Sequence, residues 1–553
     1  MPTTVTSSIG TASRTYSTVQ LWEDACPANL VTDDKIWKGE CYNDSEFTTA
    51  ATLVTFSGTT MSATQYPWLT CAAGHSYLDH AGLQTNRPVY DQSKGVGLRS
   101  TNGFTWTTAS SGNVYPRMTG LQISGAVNQS GVGGGGHSGG VLLMERCIVE
   151  GSYIACIYET TGVVTNTIFI ARGAGTHGIG LNIGTGGHAR LINCTIVCPS
   201  DLTSTKAALK DPDAGYASFS NCAIFGFGSM LDVGAGLLSH SSHNASDLAI
   251  TFGTDNQASK TFSSQFENIN NATLDLRLKT GADCVNTGLV PMTEAAVAYW
   301  NADEASGNLL DSIGSNNLTD TNTVGSATGA LATARDFVPG NTEYFTIATN
   351  STLNLGTSEW TLSTWVYADD VATQRRIMGK GSTDTEFALD IQSDGKLRIK
   401  LCASAGGAGS NTTTTNSSLT AATWYHVLLK MHNFYGDVIF YLNGATNGFS
   451  MTHTTGLYVG AEAFEMGTVN AGTDLWDGRI DETLIVKRWV DGWEIQSLYG
   501  GGTPPPKTLI LPMDQSLNGQ TRTAAGFDIG AWEFLGGLGF VRKRSRGWAV
   551  RRV

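Results

Sequence analysis

Carboxylate side chains are the first candidates for chemistry in the middle of this 553-residue sequence. Cleavage of a glycosidic bond commonly uses two carboxyl groups that lie about 5 to 10 Å apart. The acids between Leu121 and Leu278 are few, and they include Glu145, Glu150, Glu159, Asp201, Asp211, Asp213, Asp232, Asp247, Glu267 and Asp275. On stacked repeats, a catalytic pair needs acids at equivalent positions of neighbouring repeats.

The aligned positions of the repeats do not supply such a pair. Glu145 aligns with Thr165, Ile192, Ser220 and Ser246. Asp247 aligns with Arg146, Asn166, Asn193, Asn221 and Asp275. The recurring Asn indicates a turn whose side chain hydrogen-bonds to neighbouring backbone. We therefore assign no catalytic and no cofactor-binding residue, and we favour a protein without enzymatic activity.

Cysteine and histidine offer a second kind of chemistry. Cys194 and Cys198 are separated by three residues, which could indicate a pair of metal ligands. No second Cys or His pair stands at the spacing of a zinc site, so small buried side chains are the favoured interpretation. We predict reduced thiols in a protein core, and we assign His426 a structural role within a strand.

Short repeats are the elements that must position these residues. Each repeat contains an apolar or Cys residue, any residue and a second apolar residue, and successive pairs are 20 to 28 positions apart. Alternate residues lie on one face of a strand, and so short a unit can bury that face only against its neighbours. The pattern predicts a parallel β-helix with these inward pairs: Leu121/Ile123, Cys147/Val149, Thr167/Phe169, Cys194/Ile196, Cys222/Ile224, Leu248/Ile250 and Leu276/Leu278.

The composition agrees with a mostly β protein that is rich in turns. Gly occurs 66 times, and charged residues make up 15% of the chain. A formal net charge of −13 argues against nucleic-acid binding, because that function needs basic surface. No stretch reaches the roughly 18 consecutive apolar residues of a membrane span. Residues 1–10 show neither the basic nor the apolar region of a signal peptide, which favours a virus protein released by lysis.

The sequence changes character near residue 292. The repeat stops, and alternating strands rich in Trp and Tyr follow, with turns such as Leu442-Asn443-Gly444 between them. These features predict an antiparallel sandwich, and the prolines at 504–506 predict a stiff linker after it. The expected division is a cap at 1–50, a β-helix at 51–291, a sandwich at 292–502, a closing β-helix coil at 503–538 and a basic tail at 539–553.

Residues 292–502 resemble the concanavalin A-like laminin G family. The resemblance rests on Tyr299-Trp300-Asn301, Leu362-Ser363-Thr364-Trp365-Val366, Trp424-Tyr425-His426-Val427 and Gly478-Arg479-Ile480-Asp481-Glu482, in this order. It implies a jelly-roll sandwich that binds glycans or proteins at its loop end or concave face. It also implies a Ca²⁺ site with Asp311, Asn316 and Asp481 as ligands, since hard oxygen atoms suit this ion. The alternative is that Asp311 caps a turn and Asp481 bonds only to backbone.

The rest of the chain resembles right-handed, pectate-lyase-like β-helix proteins of bacteria and tailed phages. The resemblance rests on Leu274-Asp275-Leu276-Arg277-Leu278 and on Asp528-Ile529-Gly530-Ala531-Trp532-Glu533. In relatives these two segments lie close together, whereas here the sandwich separates them. The resemblance therefore implies that the sandwich is inserted into the last coil of the β-helix, which closes at 503–538.

Together these features predict an all-β structural protein on the virion surface of a tailed phage, such as a spike, a fibre or a head decoration. Its β-helix is expected to form a rigid stalk, and its sandwich to bind host-surface polysaccharide without catalysis. Other virion proteins are expected partners, with the basic tail as a candidate contact, and a homotrimer is the common state of such spikes. The alternatives are a tailspike-type polysaccharide depolymerase and a bacterial cell-surface adhesin.

Overall fold

A computed structural model gives the fold of most of the chain up to residue 500. The residues that it describes are 2–62, 65–79, 87–101, 106–108, 116–125, 132–133, 142–151, 157–158, 162–172, 181–182, 188–202, 207–210, 216–231, 236–237, 241–251, 255–284, 295–348, 350–356, 359–381, 386–402, 411–431, 438–449, 458–468, 472–488, 490 and 492–500. The predicted closing coil at 503–538 and the basic tail at 539–553 lie outside this part.

Parallel strands build the first half of the molecule. Successive turns of the chain add strands in rotation to three sheets, and this is the arrangement of a parallel β-helix. The first sheet contains β1 (Thr3–Ile9), β2 (Lys35–Cys41), β5 (Pro67–Cys71), β8 (Arg117–Thr119), β11 (Leu142–Glu145), β14 (Gly162–Thr165), β17 (His188–Ile192), β20 (Tyr216–Ser220) and β23 (Gly236–Leu237). The second contains β4 (Val54–Phe56), β7 (Trp106–Thr108), β10 (Val132–Gly133), β13 (Ile157–Tyr158), β16 (Leu181–Asn182), β19 (Ala207–Lys210) and β22 (Ser229–Leu231). The third contains β3 (Phe47–Thr49), β6 (Gly97–Ser100), β9 (Gln122–Ser124), β12 (Ile148–Gly151), β15 (Ile168–Ala171), β18 (Thr195–Val197), β21 (Ala223–Phe225) and β24 (Ala245–Ser246).

The register of the third sheet confirms the central part of the predicted repeat. Ile123, Val149, Phe169, Ile196 and Ile224 are successive partners across five strands. All five side chains are buried in one apolar core. The spacing in the sequence therefore follows from the path of the chain around the helix.

Cysteine thiols lie in the same core. Cys147, Cys194 and Cys222 are fully buried, and the described cysteines are free thiols, as predicted. Burial raises the pKa of Cys147 to about 12, so its thiol stays protonated near neutral pH. Cys156 lies outside the described residues.

One left-handed residue per coil joins the first sheet to the third. Arg146, Asn166, Asn193 and Asn221 occupy this position with φ between 50° and 55°. Asn tolerates this conformation better than most residues, which explains its recurrence. The Asn221 amide donates to Oδ1 of Asn193 at 2.9 Å, so these two side chains also link their successive coils.

The last two predicted pairs do not continue the strand register of the repeat, although Leu248 and Ile250 pack against the same apolar core. Ala223 pairs with Ala245, and the left-handed residue of this coil is His243 rather than Asp247. The equivalent of Ser220 is Ser242 rather than Ser246. The sequence alignment placed this short coil out of register. Small and polar residues occupy its strand positions, whereas the earlier coils have apolar residues there.

Among the described strands, parallel pairing ends at β24, and one further parallel bridge joins Ala245 to Gln257. Leu276 and Leu278 lie in β26 (Asp275–Leu278), which pairs antiparallel with β25 (Phe266–Asn268) after helix α2 (Phe262–Gln265). The alternate spacing of Leu276 and Leu278 correctly predicted a strand, but it did not predict that the strand is antiparallel to its neighbour. At the other end, helix α1 (Val19–Asp24) buries Val19 and Trp22, and the Thr18 hydroxyl oxygen accepts from the Leu21 N–H at 3.1 Å.

Antiparallel strands build the second half, as predicted. One sheet contains β27 (Ala296–Trp300), β29 (Gly325–Thr328), β30 (Thr333–Phe337), β32 (Trp360–Ala368), β37 (Trp424–Met431), β38 (Val438–Leu442), β39 (Ala445–Phe449) and β41 (Gly478–Val486). The facing sheet contains β28 (Thr319–Thr321), β31 (Tyr344–Ile347), β33 (Arg375–Lys380), β34 (Phe387–Ile391), β35 (Lys396–Leu401), β36 (Asn411–Ser418) and β40 (Phe464–Met466). Helix α3 (Gly492–Tyr499) follows β41, and short 3₁₀ turns lie at Tyr77–Asp79, Gln92–Lys94, Asn271–Thr273, Pro339–Asn341 and Ser351–Leu353.

In the sandwich, the sheet that contains β32, β37 and β41 packs its outer face on the β-helix. This sheet is called the eight-stranded sheet below. Ile192 of β17 is buried in one cluster with Leu428, Leu484, Ile495 and other apolar residues of the sandwich and α3. Two buried arginines, Arg190 of the β-helix and Arg488, both bond to Glu494 of α3. This contact holds the two halves together. Within the described chain, no helix is long and apolar enough to cross a membrane.

Candidate functional site

Two of the predicted calcium ligands fix the loop that follows β27. Asp311 Oδ1 accepts from the N–H groups of Tyr299 at 3.0 Å and Ile313 at 3.2 Å, and its Oδ2 accepts from that of Asn316 at 3.0 Å. The Asn316 Oδ1 accepts from Asn350 at 2.6 Å and from Thr352 at 2.8 Å. Both side chains are buried, so these bonds replace water that the loop has lost.

The third predicted ligand, Asp481, has a different environment. Its Oδ2 accepts from the Leu331 N–H at 3.0 Å, whereas its Oδ1 is buried without a hydrogen-bond partner among the described residues. Burial raises the pKa of Asp481 to about 8, and the negative charges of Glu482 and Asp303 contribute to the shift. A carboxyl group of this kind holds either a proton or a cation near neutral pH.

The residues fit a calcium ion unequally. Asp311 and Asn316 spend most of their oxygen lone pairs on hydrogen bonds in their own loop, while Asp481 bonds to the separate loop before β30 and keeps one bare oxygen. Among the described residues, no group of three His, Cys, Asp or Glu side chains is placed to hold a metal. The calcium assignment stays a prediction, and Asp481 is the residue whose environment best suits it.

Two acids on strands of the β-helix, Glu145 and Glu150, have uncharged residues as their partners on the neighbouring strands. Glu145 lies between Thr119 and Thr165 on adjacent strands, in agreement with the predicted alignment to Thr165. Glu150 lies between Ser124 and Ile170, and it forms a two-point ion pair with Arg172 at 2.8 and 3.0 Å. These two acids therefore do not form a stacked carboxyl pair with their strand neighbours.

Half-buried aromatic side chains lie at one end of the eight-stranded sheet. Tyr367 of β32 pairs directly with Trp424 of β37 on one side and with Arg479 of β41 on the other. Since directly paired residues point to the same face, the three side chains form one surface. We call Tyr367, Trp424, Arg479 and the neighbouring Asp336 the aromatic patch.

The geometry of the aromatic patch suits a polar ligand with a flat apolar face. The Tyr367 and Trp424 ring centroids are 5.4 Å apart, and the Arg479 guanidinium lies 4.7 Å from the Tyr367 ring centroid. Arg479 Nε donates to Asp336 Oδ1 at 3.3 Å. Gly478 lets its strand lie close to the backbone of Tyr367. Its φ is +127°, and a Cβ there would lie 2.1 Å from the Tyr367 carbonyl oxygen.

Acidic side chains surround this end of the sheet. Asp477 is partly buried, and desolvation raises its pKa, with Asp369, Asp370 and Asp336 adding to the effect and Arg375 opposing it. Carboxylates of this kind accept hydrogen bonds from hydroxyl groups, whereas they repel anions. The aromatic patch therefore favours a neutral hydroxylated ligand over an acidic one.

Helix α3 and the β-helix cover another part of the same sheet face. The Trp365 ring stacks on Tyr499 of α3 at 6.0 Å and lies 5.3 Å from the His426 ring. Ser363 hydrogen-bonds to His426 Nε2 at 2.8 Å, and burial lowers the pKa of His426 to about 3. The structural role predicted for His426 agrees with this buried, neutral environment.

The aromatic patch was not found from the sequence, although a signal for it exists. In Trp360–Ala368, alternation places Trp360 with Leu362 and Val366 on the core face, and Tyr367 with Trp365 on the other. That signal separates inner from outer residues, but it does not tell which outer residues α3 covers. The three-dimensional path of α3 decides this, and it leaves Tyr367 and Trp424 partly exposed.

Comparison with known proteins bears on the second half of the chain. Residues 339–496 match the family model Laminin_G_3, described as the Concanavalin A-like lectin/glucanases superfamily. The match lies inside the segment 292–502, where this resemblance is predicted, and confirms it there. No curated protein matches the sequence.

Several solved structures are similar to part of the chain. The binding domain of Paraclostridial Mosquitocidal Protein 1 is 16% identical, with a TM-score of 0.31 over 38% of this chain and 52% of that one. Domain 4 of AbnA, an extracellular arabinanase from Geobacillus stearothermophilus solved with arabinotriose, is 20% identical, with a TM-score of 0.31 over 37% of this chain and 98% of that one. The binding domain of botulinum neurotoxin serotype G is 14% identical, with a TM-score of 0.30 over 37% of this chain and 50% of that one. This chain thus covers about half the length of the two toxin binding domains.

Proposed function

We propose that this protein is a non-catalytic adhesin whose laminin G-like sandwich binds a neutral glycan at the aromatic patch. The observation that carries the proposal is the partly exposed pair of Tyr367 and Trp424 beside Arg479 and Asp336. Aromatic rings offer a flat apolar surface, and the charged groups beside them hydrogen-bond to hydroxyls. The concanavalin A-like family match of residues 339–496 supports this class of ligand.

The β-helix acts in this proposal as a rigid support for the sandwich. The buried bonds of Arg190 and Arg488 to Glu494 and the apolar cluster around Ile192 support a fixed attachment. The place of the molecule is the surface of a tailed-phage virion, where it contacts other virion proteins and host polysaccharide. Sequence resemblance to phage β-helix proteins supports that location.

Glycan binding is tested with Trp424→Ala and Tyr367→Ala. The full chain is screened against neutral oligosaccharides, and affinities for those that bind are measured by isothermal titration calorimetry. Each substitution should weaken binding at least about fivefold, since each removes a contact of about 1 kcal/mol or more. Tyr344→Ala, on a strand of the opposite sheet, is the matched control and should bind as the wild type does.

Two further measurements separate this proposal from its alternatives. Release of reducing ends or unsaturated sugars from host polysaccharide would identify a depolymerase and contradict the non-catalytic assignment. Mass spectrometry of purified virions should detect the chain among the structural proteins. Its absence from virions, with presence on a bacterial surface, would instead identify a cellular adhesin.

A further inference from the structure

A polar cavity lies on the β-helix, in a part of the chain far from the sandwich in sequence. It has a volume of about 540 Å³, within the usual size range of small-molecule sites. The segment 87–95 forms one wall, and residues beside strands β3 and β6 form the other. Its charged lining consists of Glu46, Arg87, Asp91, Lys94 and Arg99.

Buried hydrogen bonds hold the wall of this cavity in place. The Gln122 side chain of β9, which is fully buried, accepts from the Asp91 N–H at 2.7 Å and donates to the carbonyl oxygens of Asp91 and Gly95. Glu150 of β12 accepts from the Tyr90 N–H at 3.0 Å. The cavity is therefore shaped by the body of the β-helix and not only by its surface side chains.

Both acids of the cavity are already engaged. Glu46 accepts from the Tyr90 hydroxyl at 2.6 Å and lies 3.9 Å from Arg99, and Asp91 accepts from the Ser93 N–H and hydroxyl. Burial and the Glu46 carboxylate both raise the pKa of Tyr90, so its hydroxyl keeps its proton for this bond. A Cβ at Gly97 would lie 2.5 Å from the Tyr90 hydroxyl oxygen, so glycine there makes room for the tyrosine.

The cations of the cavity are available to a ligand. The side chains of Arg87 and Lys94 show no hydrogen bond or ion pair with any residue in the described part of the chain, and Arg99 is half exposed. Three cations face two acids there, although the whole chain carries a net charge of −13. This local excess of positive charge favours an anionic ligand.

We infer that this cavity binds an acidic saccharide, with Arg87 and Lys94 contacting its negative group and Glu46, Tyr90 and Asp91 its hydroxyls. The alternation of donors and acceptors suits a ligand with many hydroxyls, whereas a polynucleotide would meet two carboxylates and an acidic chain. The negative group is a carboxylate or a phosphate on the sugar. This site is separate from the aromatic patch and extends the proposed function to a second glycan chemistry.

The test measures binding of trigalacturonate and of glucose 6-phosphate to the full chain by isothermal titration calorimetry. Lys94→Gln and Arg87→Gln should each weaken at least one of these ligands fivefold or more, and added salt should weaken it further. Lys35→Gln, which removes the same charge from the surface Lys35–Asp33 pair at the start of β2, should leave the affinity unchanged. Circular dichroism and the melting temperature confirm that the variants are folded.

The outcomes separate this site from the aromatic patch. Binding that survives Trp424→Ala but falls in Lys94→Gln supports the cavity, whether or not the patch binds glycans. The inference is overturned if neither acidic sugar binds, or if both cavity substitutions leave their affinities unchanged. It is also overturned if maltotriose loses affinity in Lys94→Gln as strongly as the acidic sugars, or if inorganic phosphate alone binds as tightly as they do.

Discussion

At the scale of single residues, two aspartates have different roles because their surroundings differ. Asp311 and Asp481 are both predicted calcium ligands, and both are buried. Three backbone N–H groups bond to the Asp311 carboxylate, whereas one oxygen of Asp481 has no such donor. The sequence identifies both aspartates, but only the folded loops determine how many donors each one meets.

Calcium binding is predicted to depend on Asp481 more than on Asp311. If the ion binds, a concentration about 100 times its dissociation constant adds about 2.7 kcal/mol to stability and raises the melting temperature. Asp481→Asn should abolish this calcium-dependent rise. Asp311→Asn should lower the melting temperature with or without calcium, because it weakens three loop bonds, but should retain more of the rise. No rise in the wild type would remove the predicted calcium site.

Acid is predicted to destabilise the sandwich through His426. Its pKa falls from the ordinary value of 6.5 to about 3 on folding, because the buried imidazole cannot be hydrated when charged. The unfolded chain therefore binds the extra proton first, and stability that is complete above pH 6.5 falls as the pH drops toward 3. Lowering the pH from about 7 to about 5 should cost about 2 kcal/mol through this group.

The measurement compares the wild type with His426→Gln by urea unfolding at the two pH values. Gln retains a polar atom near Ser363 but does not titrate in this range. The variant should be less stable than the wild type at neutral pH, and the difference should shrink by about 2 kcal/mol at the lower pH. An unchanged difference would show that His426 does not carry the acid sensitivity.

At the scale of elements, strand periodicity was readable where apolar residues mark the inward positions. Val149, Phe169 and Ile196 stand in the predicted register because a misplaced large side chain would leave the core. The coil that ends in Ala245 and Ser246 was misaligned, since its small residues fit either face. The same limit applies to β26, because alternation is identical in parallel and antiparallel strands.

The Asn turn position gives a prediction at this scale. Asn193 has φ 52° and accepts the Asn221 amide, so Asn193→Ala loses a hydrogen bond and also places Ala in a left-handed conformation. We expect a loss of about 2 to 3 kcal/mol for Ala, and about 1 kcal/mol less than that for Asn193→Gly, which tolerates the conformation. Urea unfolding of both variants measures the difference. Equal losses would show that the left-handed conformation contributes nothing to the preference for Asn.

At the scale of the whole molecule, the arrangement of the two halves depends on residues far apart in the sequence. Arg190 and Glu494 are brought together by folding, and neither has a local motif that marks it as an interface residue. The two fold types were predictable from residues 121–224 and 292–502, but the sheet face by which they join was not. The contact between the two halves also determines which aromatic residues stay partly exposed. Helix α3 and the β-helix cover one end of the sandwich sheet, and the aromatic patch lies at the other end.

The buried cluster of Arg190, Arg488 and Glu494 predicts coupled unfolding of the β-helix and the sandwich. Glu494→Gln leaves two buried guanidinium groups without their carboxylate and should cost about 3 to 5 kcal/mol. Arg190→Met should cost less, because Glu494 keeps its bonds to Arg488 at 2.8 and 3.0 Å. Combined with Ile192→Asn, which places a polar group in the apolar cluster, Arg190→Met should divide a single calorimetric transition into two. Two transitions already present in the wild type would contradict the coupling and would mean that the aromatic patch is carried on a loosely attached sandwich.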